Sequence, residues 1–213
     1  AVLNIGSFRT WSRNVTSHNI SNGSFTFQEV PSSGWKYKHH MYFLTQKLEL
    51  LDVPGEWFFD HESPSNTVYY MPRDGRDPND LNIRMKTQPY AILCSGDDGV
   101  VVEGFDYFAT TFRLDDCDGS EIRNSTLLYP STSKRSLGYA GEDMDNRYVS
   151  RVDDCIGCLV DRCDFLYTDG AAFEAHGGAS SSQNNTINNS YFYHIDWSGS
   201  DQKSLMTTIM MDG

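Results

Sequence analysis

One internal repeat restricts this chain more than anything else in it. The stretch Arg113-Leu114-Asp115-Asp116-Cys117-Asp118-Gly119-Ser120-Glu121-Ile122-Arg123-Asn124 aligns without gaps on Arg151-Val152-Asp153-Asp154-Cys155-Ile156-Gly157-Cys158-Leu159-Val160-Asp161-Arg162, 38 residues further on. Leu128-Tyr129 and Leu166-Tyr167 close the two copies, a third copy covers Gly99 to Phe105, and a fourth covers Asn184 to Phe192. In this register Val102, Ile122, Val160 and Ile187 are equivalent, as are Val100, Ser120, Cys158 and Asn185 two residues earlier. Alternation by two marks strands with one face turned inward. Short strands cornered by Gly or Asn and repeating about every 20 residues mark a solenoid. Leucine-rich repeats would need Leu at fixed positions, and helical repeats a 3.6-residue stripe; neither is present. The expectation is an all-β parallel β-helix, with equivalent strands about 4.8 Å apart. The offset of 38 implies a loop of roughly 18 residues within one rung, and the polar segment Ser131 to Asn146 has the composition for it.

Stacking assigns roles to several residues. Cys117 and Cys155 fall on neighbouring rungs, as small buried thiols or as a rung-to-rung disulfide. Five cysteines are an odd number for a disulfide framework, and Cys155-Ile156-Gly157-Cys158 lacks the βαβ context of a redox motif. Asn124, Asn188 and Asn189 sit where left-handed turns are needed. Six N-x-[ST] sequons, at Asn14, Asn19, Asn22, Asn124, Asn184 and Asn188, point to a secreted, extracellular glycoprotein. The net charge of −12 argues against nucleic-acid partners, and no apolar run is long enough for a membrane span. The chain opens on Ala1 and closes on a strand-like Thr207 to Gly213, as a piece of a longer chain would.

The first 90 residues read differently. Ser24 to Phe27, Asn66 to Tyr70 and Asn82 to Met85 are predicted strands, and Met41 to Leu51 has helical spacing of apolar residues. A helix, then Leu50-Leu51-Asp52-Val53-Pro54-Gly55-Glu56-Trp57-Phe58-Phe59-Asp60, then Thr67-Val68-Tyr69-Tyr70-Met71-Pro72-Arg73-Asp74-Gly75, then rungs: this order resembles secreted right-handed parallel β-helix proteins of the glycoside hydrolase and polysaccharide lyase kind. The resemblance runs over about residues 9 to 200. It implies partial rungs in 1–30, an inserted helix and β-hairpin in 31–90, and resumed rungs in 91–213, truncated at the C-terminus. It also implies a polysaccharide or other glycan as partner.

Glycosidases need two carboxyl groups across the sugar bond. The densest candidate runs from Asp169 to Gly178, where Glu174 and His176 point the same way along a strand. One rung later come His194, Asp196, Trp197 and Asp201. The expectation is a catalytic cluster of Glu174, Asp196, His176 and His194, with Trp197, Asp169 and Asp201 binding substrate. A second candidate is the repeated acid pair, Asp115 over Asp153 and Asp116 over Asp154. Stacked like charges need an offset from Arg113 and Arg151, from a bound calcium ion at Asp115 and Asp153, or from a function. No cofactor is required otherwise. Two readings follow: a carbohydrate-active β-helix enzyme, foremost a glycoside hydrolase, or a non-catalytic structural or adhesive glycoprotein of an extracellular surface or filament, capable of self-association through open ends.

Overall fold

The computed structural model describes residues 1–6, 9–29, 41–131, 148–169, 171–195 and 208–211. The chain begins with strands β1 (Val2–Gly6) and β2 (Arg9–Ser12), then β3 (Val15–Asn19) and β4 (Ser24–Phe27), then β5 (Met41–Phe43). β1 pairs antiparallel with both β2 and β5, and β3 with β4. The partial rungs expected in residues 1–30 are therefore antiparallel hairpins. The helix expected over Met41 to Leu51 is also absent. Its first three residues form β5, and only Leu48–Leu50 turn, as a 3-10 helix. Met41, Tyr42 and Phe43 lie opposite Val2, Leu3 and Asn4, so pairing along β1 outweighs a weak helical stripe. The expected hairpin does form, from β6 (Trp57–Asp60) and β7 (Thr67–Tyr70). Asn82 to Met85 pairs with no strand.

From Tyr90 onward the architecture is repetitive. Each repeat supplies one short strand to each of three parallel sheets. The first sheet holds β8 (Tyr90–Ser95), β11 (Thr111–Asp115), β14 (Ser150–Asp153), β17 (Phe173–His176) and β20 (Ile209–Met211). The second holds β9 (Val101–Glu103), β12 (Glu121–Arg123), β15 (Leu159–Asp161) and β18 (Thr186–Asn188). The third holds β10 (Asp106–Phe108), β13 (Thr126–Leu128), β16 (Asp164–Leu166) and β19 (Tyr191–Tyr193). The register is the one read from the sequence: Arg113 faces Arg151, Asp115 faces Asp153, and Val102, Ile122, Val160 and Ile187 form one column. The extra length between β13 and β14 confirms where the repeat is interrupted, although residues 132–147 of the expected loop lie outside the described residues.

Inward columns make the core: Leu114, Val152 and Ala175 from the first sheet, Ile122 and Val160 from the second, and Leu127 and Phe165 from the third. Phe165 stacks on Phe192 at 5.3 Å with the rings nearly parallel. All five cysteines are reduced and buried, so stacking of Cys117 over Cys155 makes no disulfide. Instead Cys155 Sγ donates to the Asp153 carbonyl at 3.0 Å and accepts from the Cys117 amide at 3.1 Å. Burial pushes the Cys94 thiol up to about 11 and the Cys155 thiol up to about 12.

At the corners the backbone is left-handed in every repeat. After the third-sheet strands, Ala109, Tyr129, Tyr167 and His194 have φ of 56°, 54°, 55° and 51°. Gly119 has φ of 62° with open space around a would-be Cβ, so only backbone strain selects glycine there.

Two outcomes follow. Phe165→Ala should cost about 3–5 kcal/mol in urea unfolding, through lost burial and a cavity. The five thiols should resist a small aromatic disulfide reagent at pH 8 in the native protein and all react after unfolding. Rapid native labelling would contradict their burial.

Candidate functional site

Two outward surfaces gather chemistry-bearing side chains. The first is the outer face of the first sheet. Alternation turns Leu114, Val152 and Ala175 inward, so Arg113, Arg151 and Glu174 form one outward column, and Asp115, Asp153 and His176 the next. Arg113 pairs with Asp115 at 3.0 Å and with Asp153 at 2.9 Å, and Arg151 pairs with Asp153 at 3.0 Å. The two guanidinium groups thus supply an offset that stacked carboxylates demand. Among the described residues no group of three or more His, Cys, Asp or Glu side chains converges as metal ligands do. Glu174, only 2% exposed, meets His176 Nε2 through Oε2 at 3.0 Å. Tyr90, in β8, flanks this cluster. Burial raises its hydroxyl pKa, with Arg151 and Arg113 pulling it down, and its ring meets Tyr148 edge-on at 5.7 Å.

The expected companion of Glu174 and His176 is elsewhere. His194 follows β19 on the third sheet and belongs to the corner column, where it stacks on Tyr167 at 4.9 Å. That corner column also carries Ala109, Tyr129 and Tyr167, and it lies off the outward columns of the first sheet that hold Glu174 and His176. Asp196, Trp197 and Asp201 lie outside the described residues. Asp116 and Asp154 take up left-handed corner positions and are exposed. The Asp169 amide donates to Ser131 Oγ at 2.7 Å.

The second surface is this corner and the third sheet beside it. Phe108, Leu128, Leu166 and Tyr193 form an outward column across four repeats. Tyr129, Tyr167 and His194 run alongside, with ring centroids 5.5 Å and 4.9 Å apart. Phe108 meets Tyr129 edge-on at 6.1 Å, and Tyr193 meets Tyr167 edge-on at 5.5 Å. Phe108, Tyr129 and Tyr193 are each at least 40% exposed, so the ladder is aromatic and solvent-facing at once. The recurring Leu128-Tyr129 and Leu166-Tyr167 were its signal in the sequence.

The segment before β8 closes on this corner. Arg84 lies over the Phe108 ring at 5.5 Å, and Lys86 Nζ donates to the Pro130 carbonyl at 2.9 Å. Burial lowers the Lys86 ammonium to about 8, and the Asp169 carboxylate draws it partly back. Neither residue stood out in the sequence, because nothing in the repeat points to them.

Scans against protein-family models, curated proteins and solved structures find no match to this chain. No helix among the described residues is long and apolar enough to cross a membrane.

Lys86 provides a direct check on this corner. Its side-chain resonances should titrate near pH 8, and Asp169→Asn should move the midpoint lower still, since the carboxylate favours the charged amine. A midpoint near the ordinary 10.4 would contradict the burial.

Proposed function

We propose that this chain is an extracellular, glycan-binding protein built as a right-handed parallel β-helix. Handedness follows from the strong preference of parallel crossover connections for the right-handed sense. The observation that carries the binding reading is the exposed aromatic ladder of Phe108, Tyr129, Tyr167, Tyr193 and His194. Sugar rings present C–H-rich faces that pack on aromatic faces and edges, and a row of aromatics repeating with the strand spacing suits a polymer better than a single small molecule. The six sequon asparagines are all exposed, which supports an extracellular setting.

A second reading, hydrolysis by paired carboxylates, draws on the Glu174 and His176 pair beside Asp153. It is the weaker one, because Glu174 and Asp153 are buried and Asp153 is held by two arginines. A general acid must reach the glycosidic oxygen.

On a panel of immobilised polysaccharides, Tyr129→Ala and Tyr193→Ala should each weaken retention about tenfold, with the melting transition little changed. Retention of the wild type on none of them would overturn the binding reading. Release of new reducing ends by the wild type, lost at least about a hundredfold in Glu174→Gln, would establish the hydrolytic one.

A further inference from the structure

Strand β5 stands at the edge of the three-stranded sheet. It pairs with β1 on one side and, among the described residues, with no strand on the other. Edge strands that must not pair further are guarded by a charge, a proline or a bulge. β5 carries no such guard. Met41 to Gln46 contains no charged residue and no proline, in a chain of net charge −12, and the β1–β5 register runs without a break.

Both faces of β5 are open as well. Met41, Tyr42 and Phe43 are 66%, 58% and 51% exposed. Neighbours on a strand point to opposite faces, so a strand packed on a core buries every second one. Phe43, Leu44, Leu50 and Trp57 line a hollow of about 480 Å³, and Tyr42 lines another of about 500 Å³ with Phe25. Met41, Tyr42, Phe43, Leu44, Leu50 and Trp57 together expose roughly 600 Å², at about 150–250 Å² for a large apolar side chain. A standard interface takes about 800 Å² per partner, roughly three-fifths of it apolar, so the patch is large enough to be the core of one.

An uncharged edge of this kind fits its own copy. A strand related to itself by a two-fold axis runs antiparallel to its equivalent, so one sequence satisfies both sides of the pairing and no complementary charge is needed. We propose that two copies of this chain associate through β5, edge to edge and antiparallel, joining two three-stranded sheets into one of six strands. Tyr42 faces its own equivalent at the axis, and Met41 of one copy faces Phe43 of the other. Three residues supply few hydrogen bonds, so the apolar side chains give most of the affinity. The inference is independent of the glycan-binding reading. It also differs from association through the open ends of the repeats, because β5 belongs to a separate sheet.

Sedimentation equilibrium of the full chain over a wide concentration range should show a dimer. Tyr42→Lys, which sets two like charges on the axis, should weaken it about a hundredfold or more. Val101→Lys, at a half-exposed position of the first repeat, should leave it unchanged. Circular dichroism of each variant establishes that it is folded. Crosslinking gives a second measurement without added charge. Directly opposed antiparallel residues lie within disulfide reach. Tyr42→Cys should therefore form a disulfide-linked dimer with oxidised glutathione as the oxidant, much faster than the more exposed Ile20→Cys, while the five native thiols stay buried. A monomer at every concentration, or a dimer that Tyr42→Lys leaves intact, overturns the proposal. Loss of the dimer in Val101→Lys but not in Tyr42→Lys assigns association to the repeats and overturns it too. Crosslinking of Tyr42→Cys no faster than that of Ile20→Cys overturns the two-fold pairing.

Discussion

The rest of the structure depends on hydrogen bonding between equivalent backbone groups of successive repeats. Strands of three to six residues are too short to be stable as isolated hairpins. Here each is held on its flanks by copies of itself, and the pairing continues through the corners. The amide of Asp116 donates to the Asp153 carbonyl, that of Asn124 to Asp161, and that of Tyr129 to Leu166. The left-handed corner residues let the chain change direction without breaking this stack. Asn tolerates that conformation readily, while Tyr129, Arg162 and Tyr167 accept its strain because both neighbouring repeats hold them in place.

That constraint determines what the outward faces can carry. Identical positions of adjacent repeats lie side by side, so any side chain placed outward meets its own equivalents. On the sheet faces the acids are interleaved with arginine, Asp115 and Asp153 with Arg113 and Arg151, Glu103 and Asp161 with Arg123 and Arg162, while at an exposed corner Asp98 and Asp118 are held by backbone amides instead. Aromatic side chains need no such partner and stack on one another. The same geometry that neutralises the acidic face of the first sheet thus builds the exposed ladder at the third. Arg84 stands outside the rule because it comes from the segment that packs against the repeats, not from a repeat.

The functional conclusion turns on this contrast. Acids and a histidine close together in the sequence drew attention to Glu174 and His176, and the structure does bring those two into contact. Their burial and pairing make them a poor first contact for a sugar. The proposed polymer contact falls instead on residues whose recurrence looked architectural, Tyr129 and Tyr167, together with Phe108 and Tyr193.

Strand register, the inward columns and the place of the long insertion were determined by the sequence itself, because each follows from local alternation and a fixed period. The repeat copies align Ile122 with Val160 and Asp115 with Asp153, as the sheets do. Tertiary structure decided what depends on non-local choice. Met41 to Phe43 became a strand because β1 offered an edge, which apolar spacing could not reveal. His194 parted from Glu174 because it falls on the corner after the third sheet and not on an outward column of the first, and the place of a corner is not written in a two-residue alternation. Arg84 settled on Phe108 because the segment before β8 folds back along the third sheet, a contact between parts of the chain that share no pattern.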